Sequence, residues 1–257
     1  MSCFSCKNLS RISLAESVNE PLFNLQMTRI FNSAMKRIYK FSTMLVWWLV
    51  CCNAYAVASS DMLLHIVEQC TNTSADAYCE KCLAPQLPAM CSGKTSCRAT
   101  SEIWHETSEY VAMRDIKMCG CPSDFVHGLV LPKARVTGVE DANRPDSIWQ
   151  FSWDIAQKKI PRNEIALAVN PRTRRSQNQL HVHLVKLKEG VASRFLSTVT
   201  AHTQNLNNVW TLAANVAKAN QMTDYGVLVV ADKSSGYLVV VSRESPEALF
   251  THAYCTP

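Results

Sequence analysis

The sequence predicts an α+β fold, with an antiparallel sheet, flanking helices and a cysteine-rich decoration on the N-terminal side. Three observations carry this. Tyr110–Ile116 and Phe125–Leu131 read as a strand pair around a turn at Cys119–Pro122. Four more apolar runs, Ile165–Val169, Gln179–Leu187, Tyr225–Ala231 and Tyr237–Val241, have strand length and are separated by helical patterns. Cysteines crowd the segment before these strands.

Taken in order, residues 59–70 place Met62, Leu63, Ile66 and Val67 at helical spacing, opened by Ser60 or Asp61. Residues 71–100, with their cysteines, Pro85, Pro88 and Gly93, read as a disulfide-stapled insert, and His105 reads as a surface histidine. Pro132 ends the hairpin, because proline cannot extend a ladder. His127 sits on its second strand, alternating with Val126 and Gly128; that position can reach the site, but a lone strand histidine is read first as structural. A short strand is expected over Val136–Val139 and a helix over Asp146–Lys159, closed by Pro161. Trp149 and Trp153 share a face of that helix, as core residues or as a base-stacking pair. Ile165–Val169 is uninterrupted and hence central. Helices are expected over Val191–Ala201, Trp210–Ala219 and Pro246–His252, and a turn at Asp232–Gly236 joins the last two strands.

Hydrophobic residues make up 47% of the 257-residue chain and charged residues 18%, a globular composition. The formal charge of +5 is concentrated in the leader. Residues 1–56 hold six basic and two acidic residues, so the remainder carries a net charge of +1. A basic nucleic-acid-binding face is therefore not expected. Lys36-Arg37-Ile38-Tyr39-Lys40, the apolar run Met44–Cys52 and Ala54-Tyr55-Ala56 have the order of a secretory signal with its cleavage site. The alternative is an uncleaved anchor, since Phe41–Ala58 is uncharged over 18 residues. Either way the chain is expected to be exported. The organisation is then 1–34 unassigned, 35–58 leader or anchor, 59–107 cysteine-rich helical segment and 108–257 catalytic domain.

Eight cysteines follow the leader: Cys70, Cys79, Cys82, Cys91, Cys97, Cys119, Cys121 and Cys255. In an exported chain they read as disulfides, with Cys255 expected to pair with Cys70. Zinc is the competing reading at Cys79-x-x-Cys82.

The most informative stretch is Val169–Lys188. Leu180, His181, Val182, His183 and Leu184 alternate strictly, so Gln179, His181 and His183 form one polar row roughly 6.6 Å apart at successive Cα positions. Pro171–Lys188 contains Arg172, Arg174, Arg175, Lys186 and Lys188 and no acidic residue. Guanidinium forks match phosphate oxygens, and a neutral imidazole can attack phosphorus. Histidines beside such a turn therefore point to phosphate chemistry, with a metal half-site or a solvated face as the plain alternatives.

Ser176–Leu184 resembles the active-site strand of the histidine-triad superfamily. With Leu167–Asn170 and Arg172-Thr173 before it, it is most similar to the bacterial CDP-diacylglycerol pyrophosphatases. Val126–Lys133, a strand ending in a proline turn, and the helix expected from Asp146 agree with this. The resemblance spans about Tyr110 to the C-terminus. It implies a histidine-triad-like antiparallel sheet and a nucleophilic middle histidine in an HφHφH pattern. Aligned on Gln177-Asn178, the three places are Gln179, His181 and His183, so glutamine replaces the first histidine. His181 is then the nucleophile and His183 its assistant. In a register shifted by two, His183 is the nucleophile and Val185 the third position.

The resemblance further implies hydrolysis of CDP-diacylglycerol to CMP and phosphatidate through a nucleotidyl-histidine. Asn170, Arg172, Arg174, Arg175, Gln177, Gln179 and Lys133 are expected to bind substrate or phosphate. No metal or other cofactor is called for. The expected partners are the lipid substrate and the membrane surface, and oligomeric state is left open. The alternatives are a histidine-triad-type hydrolase of another nucleotide, or an exported disulfide-stapled binding protein with a disabled site.

Overall fold

The computed structural model describes residues 61–86, 91–93, 96–197 and 199–255. The leader expected at 35–58 and the segment 1–34 lie outside them. Residues 58–257 form one compact unit. Its centre is an eight-stranded antiparallel sheet. The strands are β1 (Ile103–Glu106), β2 (Tyr110–Arg114), β3 (His127–Pro132), β4 (Ile165–Val169), β5 (Val182–Lys186), β6 (Val199–Thr203), β7 (Gly226–Ala231) and β8 (Tyr237–Ser242). Their spatial order is β1-β2-β3-β5-β4-β7-β8-β6. Among the described residues, five α-helices accompany it: α1 (Met62–Cys70), α2 (Tyr78–Lys81), α3 (Ile148–Ala156), α4 (Val209–Ala219) and α5 (Pro246–Phe250).

One sheet face packs on α3 and α4. Val182 and Leu184 of β5 join Leu167, Val130 and both tryptophans of α3 in a single core. Trp149 and Trp153 are thus core residues, fully buried. The other face is covered in two pieces. α1 and α2 pack on Val111, Met113, Leu129 and Leu131. Phe250 of α5, with Val191 and Phe195, packs on Ala166, Ala168, Val185 and Leu228. The register pairs His127 with Val185 and His183 with both Leu129 and Ala168, so these histidines point to the second face, between the two coverings.

Several expectations are corrected. Val191–Ala201 is a 3-10 segment, Val191–Ser197, followed by strand β6. The β-branched residues Val199, Thr200 and Thr203 find a partner in β8, and this tertiary pairing outweighs local helical spacing. No strand forms at Val136–Val139. The Val136 carbonyl accepts from Leu180 N and its N–H donates to the Gln179 side chain, so residues 179–180 satisfy it without a ladder. For the same reason β5 begins at Val182, after the expected Gln179. Asp61 precedes α1 but does not cap it; its carboxylate takes Arg135 at 3.0 Å and Asn178 at 3.3 Å.

The cysteine pairs are Cys70–Cys82, Cys79–Cys91, Cys97–Cys119 and Cys121–Cys255. The expected Cys70–Cys255 bridge is therefore wrong. Cys70 ends α1 and lies 4.9 Å from Cys82 at Cα, whereas the C-terminus crosses beside the turn after β2. Cys79 and Cys82 enter different bridges, which removes the zinc reading of that pair.

Candidate active site

His127 is contributed by β3, His183 by β5, Asn170 by the residue after β4, and Glu247 by α5. His181 stands just before β5, on the same side as His183, with ring centroids 4.8 Å apart. All five are buried.

Hydrogen-bond partners fix the imidazole tautomers. A carbonyl only accepts, so His181 Nδ1–H donates to the Gln179 carbonyl at 2.7 Å. In the neutral ring Nε2 then keeps its lone pair. His127 Nδ1–H donates to the Ala253 carbonyl at 3.1 Å. Its Nε2 lone pair therefore accepts from His183 Nδ1–H at 3.0 Å. His183 Nε2 accepts from Asn170 Nδ2 at 3.4 Å, and Asn170 is oriented from both ends. Ser245 Oγ donates to its Oδ1 at 2.7 Å, and its Nδ2 also donates to Glu247 Oε2 at 2.7 Å.

Glu247 is 3.2 Å from His183 Nε2 through Oε2, and its Oε1 is ion-paired with Lys117. Asp115 Oδ2 lies 3.4 Å from His127 Nε2. Burial pushes the pKa of His127 and of His181 below the usual imidazole value, against the pull of these carboxylates. His183 is held well below it, by burial first and then by His181, His127 and Lys117. All three rings are thus neutral near pH 7, the state in which imidazole is a nucleophile or a proton acceptor.

His181 faces two spaces. A cavity of about 530 Å³ is lined by His181, His183, Gln177, Ser176, Lys117, Asp115, Arg98 and Arg114, with Met62, Leu63, Ile66, Met113, Ile116 and Leu129 also in its wall. A narrow crevice lies between His181, Asn170, Gln179, Gly138 and Arg175. Arg175 is held there by Glu140 through two bonds, of 2.8 and 2.5 Å, while its buried Nε has no partner. Gly138 is what lets it fit, since a Cβ there would lie 2.1 Å from Arg175 Nη1.

The expected site residues therefore divide. His181, His183, Asn170, Gln177, Gln179 and Arg175 come together. Gln179 is buried and braces the turn by donating to the Pro132 and Ala134 carbonyls, each at 2.8 Å. Arg174 is exposed and paired with Glu244, and Arg172, also exposed, uses its backbone N–H on Asp224. Lys133 pairs with Glu106 at 2.6 Å. His127, Glu247, Asp115 and Lys117 are the additions. Only His127 carried a signal, its alternation with Val126 and Gly128 on a strand. The others meet the histidines through contacts between residues up to 130 apart in sequence. Asp115, His127 and His183 also offer ligand atoms within 4.8 Å of one another, a donor set suited to a divalent cation.

An antiparallel sheet that buries neutral imidazoles between a half-apolar cavity and a crevice holding the Arg175 guanidinium defines a protein with a buried histidine-based centre. The chain belongs to the CDP-diacylglycerol pyrophosphatase family, whose model matches residues 58–213, more than half of its length. It is also similar to the "Probable CDP-diacylglycerol pyrophosphatase" of Mycobacterium leprae (strain TN), 36% identical over 67 aligned positions. That match covers 22% of this chain and 25% of the relative, so the chain spans about a quarter of the curated relative it matches.

Proposed function

We propose that this protein hydrolyses the pyrophosphate bond of CDP-diacylglycerol to CMP and phosphatidate through a nucleotidyl-histidine on His181. The observation that carries the reading is the His181–Gln179 hydrogen bond, which pins the Nδ1–H tautomer and leaves Nε2 as the nucleophilic atom. It also favours His181 over His183, whose two nitrogens are both engaged. Family membership supports the substrate. The arrangement is read as histidine-triad-like, with His127 entering from β3 to supply the third ring where Gln179 stands in the expected triad.

In the first step Nε2 of His181 forms a bond to the cytidine-side phosphorus, and the bond to the bridging oxygen breaks, releasing phosphatidate. The Arg175 Nε–H and the Lys117 ammonium stabilise the charge as it shifts. In the second step water attacks phosphorus, the N–P bond breaks, and CMP leaves. The water proton passes to His183 Nε2, which gives up its long 3.4 Å bond from Asn170 Nδ2 as it is protonated, and the Glu247 carboxylate 3.2 Å away stabilises the cation. No step in this scheme is routed through a metal ion.

We also propose export to the periplasmic face of the inner membrane, with the leader cut or kept as an anchor. Four disulfides support an oxidising compartment. Among the described residues no helix is long and apolar enough to cross a membrane.

The test is incubation with CDP-diacylglycerol labelled at the cytidine-side phosphate. CMP, phosphatidate and a transient label on His181 are expected. A folded His181→Asn variant that releases CMP at the unaltered rate would sink the reading, and the binding-protein alternative would then stand.

A further inference from the structure

We propose that the wall built by α1 with Met113 and Leu129 receives the glyceride backbone and the first acyl methylenes of the substrate, so that α1 sets the preference for a lipid-linked nucleotide. This rests on the cleavage reading above and deepens it.

The cavity is two-sided in chemistry. Its polar end holds His181, His183, Gln177 and Lys117; its other wall is Met62, Leu63, Ile66, Met113, Ile116 and Leu129. That wall is aliphatic and thioether in character; the Tyr254 ring also lines the cavity, 70% exposed, and one face of it is taken by the Lys117 ammonium at 4.9 Å. Methionine, unbranched and polarizable, adapts to flexible methylene chains, and leucine and isoleucine add apolar surface. Ile116, at 53% exposure, is a large apolar side chain left open to solvent beside the cavity. A chain leaving the site there meets apolar surface first.

α1 is also fastened to the catalytic turn. The Leu63 N–H, one of the unsatisfied donors of the first helical turn, donates to Gln177 Oε1 at 3.2 Å. Asp61 holds Asn178 of the same turn, and Arg135. The apolar wall and the polar end are thus set at one distance.

The test uses a series of water-soluble CDP-diacylglycerols of increasing acyl length, with CDP-glycerol as the chain-free member. For the wild-type protein kcat/KM should rise by up to about fourfold per added methylene until the wall is filled. Leu63→Glu should flatten this slope, and Leu63→Met should restore it. A parallel measurement uses calorimetric binding of dihexanoyl phosphatidate to His181→Asn, which binding the added Leu63→Glu should abolish.

A wild-type slope of zero, or an unchanged slope in folded Leu63→Glu, overturns the proposal. If no nucleotide is cleaved yet dihexanoyl phosphatidate binds in a Leu63-dependent way, the lipid wall stands and the cleavage reading falls.

Discussion

Nε2 of His127 accepts from Nδ1 of His183 at 3.0 Å, across neighbouring strands β3 and β5. The bond sets the tautomer of His183, and the Ala253 carbonyl sets that of His127. Removing the acceptor frees the His183 ring to rotate or to change tautomer. His127→Leu should lower kcat on the order of a hundredfold with little change in KM, since His127 does not line the cavity. His127→Gln, which can still accept at Oε1, should keep most of the rate. Steady-state kinetics on both variants decides this.

Glu247 is the anion nearest His183 Nε2 and raises the proton affinity of His127 and His181. Glu247→Gln removes that pull, so both rings protonate at lower pH. The acid limb of the kcat/KM profile should move to lower pH, while the plateau kcat falls by about two orders of magnitude for want of a counter-charge to the protonated His183. An unmoved acid limb would show that the carboxylate is only structural.

The three buried histidines have depressed folded-state pKa values. Below the unfolded value of about 6.5 the unfolded chain takes up protons that the folded chain resists. Their stabilising effect is complete above that pH and is lost as pH falls towards the folded values. Urea midpoints should therefore drop between neutral and mildly acidic pH, and His183→Asn should make the dependence shallower.

The Cys121–Cys255 bridge joins residues 134 apart and anchors the segment whose Ala253 carbonyl holds His127. Cys255→Ser should cost up to about 5 kcal/mol if the chain-entropy account applies in full. Its activity should fall further than its stability explains at temperatures where the sheet stays intact. Calorimetry paired with kinetics separates the two effects.

Among the cations, Arg175→Lys should lower kcat/KM at least about tenfold, because lysine cannot present a fork to Glu140 and a further N–H to phosphate. Arg174→Ala breaks only an exposed pair with Glu244 and should change kcat/KM less than about twofold.

The sequence by itself determined the α+β class, the central strand Ile165–Val169 and the alternation that sends His181 and His183 to one face. Each of these is written in local periodicity and short-range turn chemistry. It also marked the cysteines as disulfide-forming, from their number and the leader expected before them. The tertiary structure alone decided the partners. Glu247, Asp115, Lys117 and His127 converge on His183 because strand order and the Cys121–Cys255 bridge bring distant segments together, and no local pattern encodes that meeting. The turn arginines show the same divide. Their charge was visible in sequence, but only the fold placed Arg175 beside Gly138 and His181 while pairing Arg174 with Glu244. The fate of Val199–Thr203 was likewise settled by a free strand edge on β8, to which β-branched residues pair more favourably than they coil.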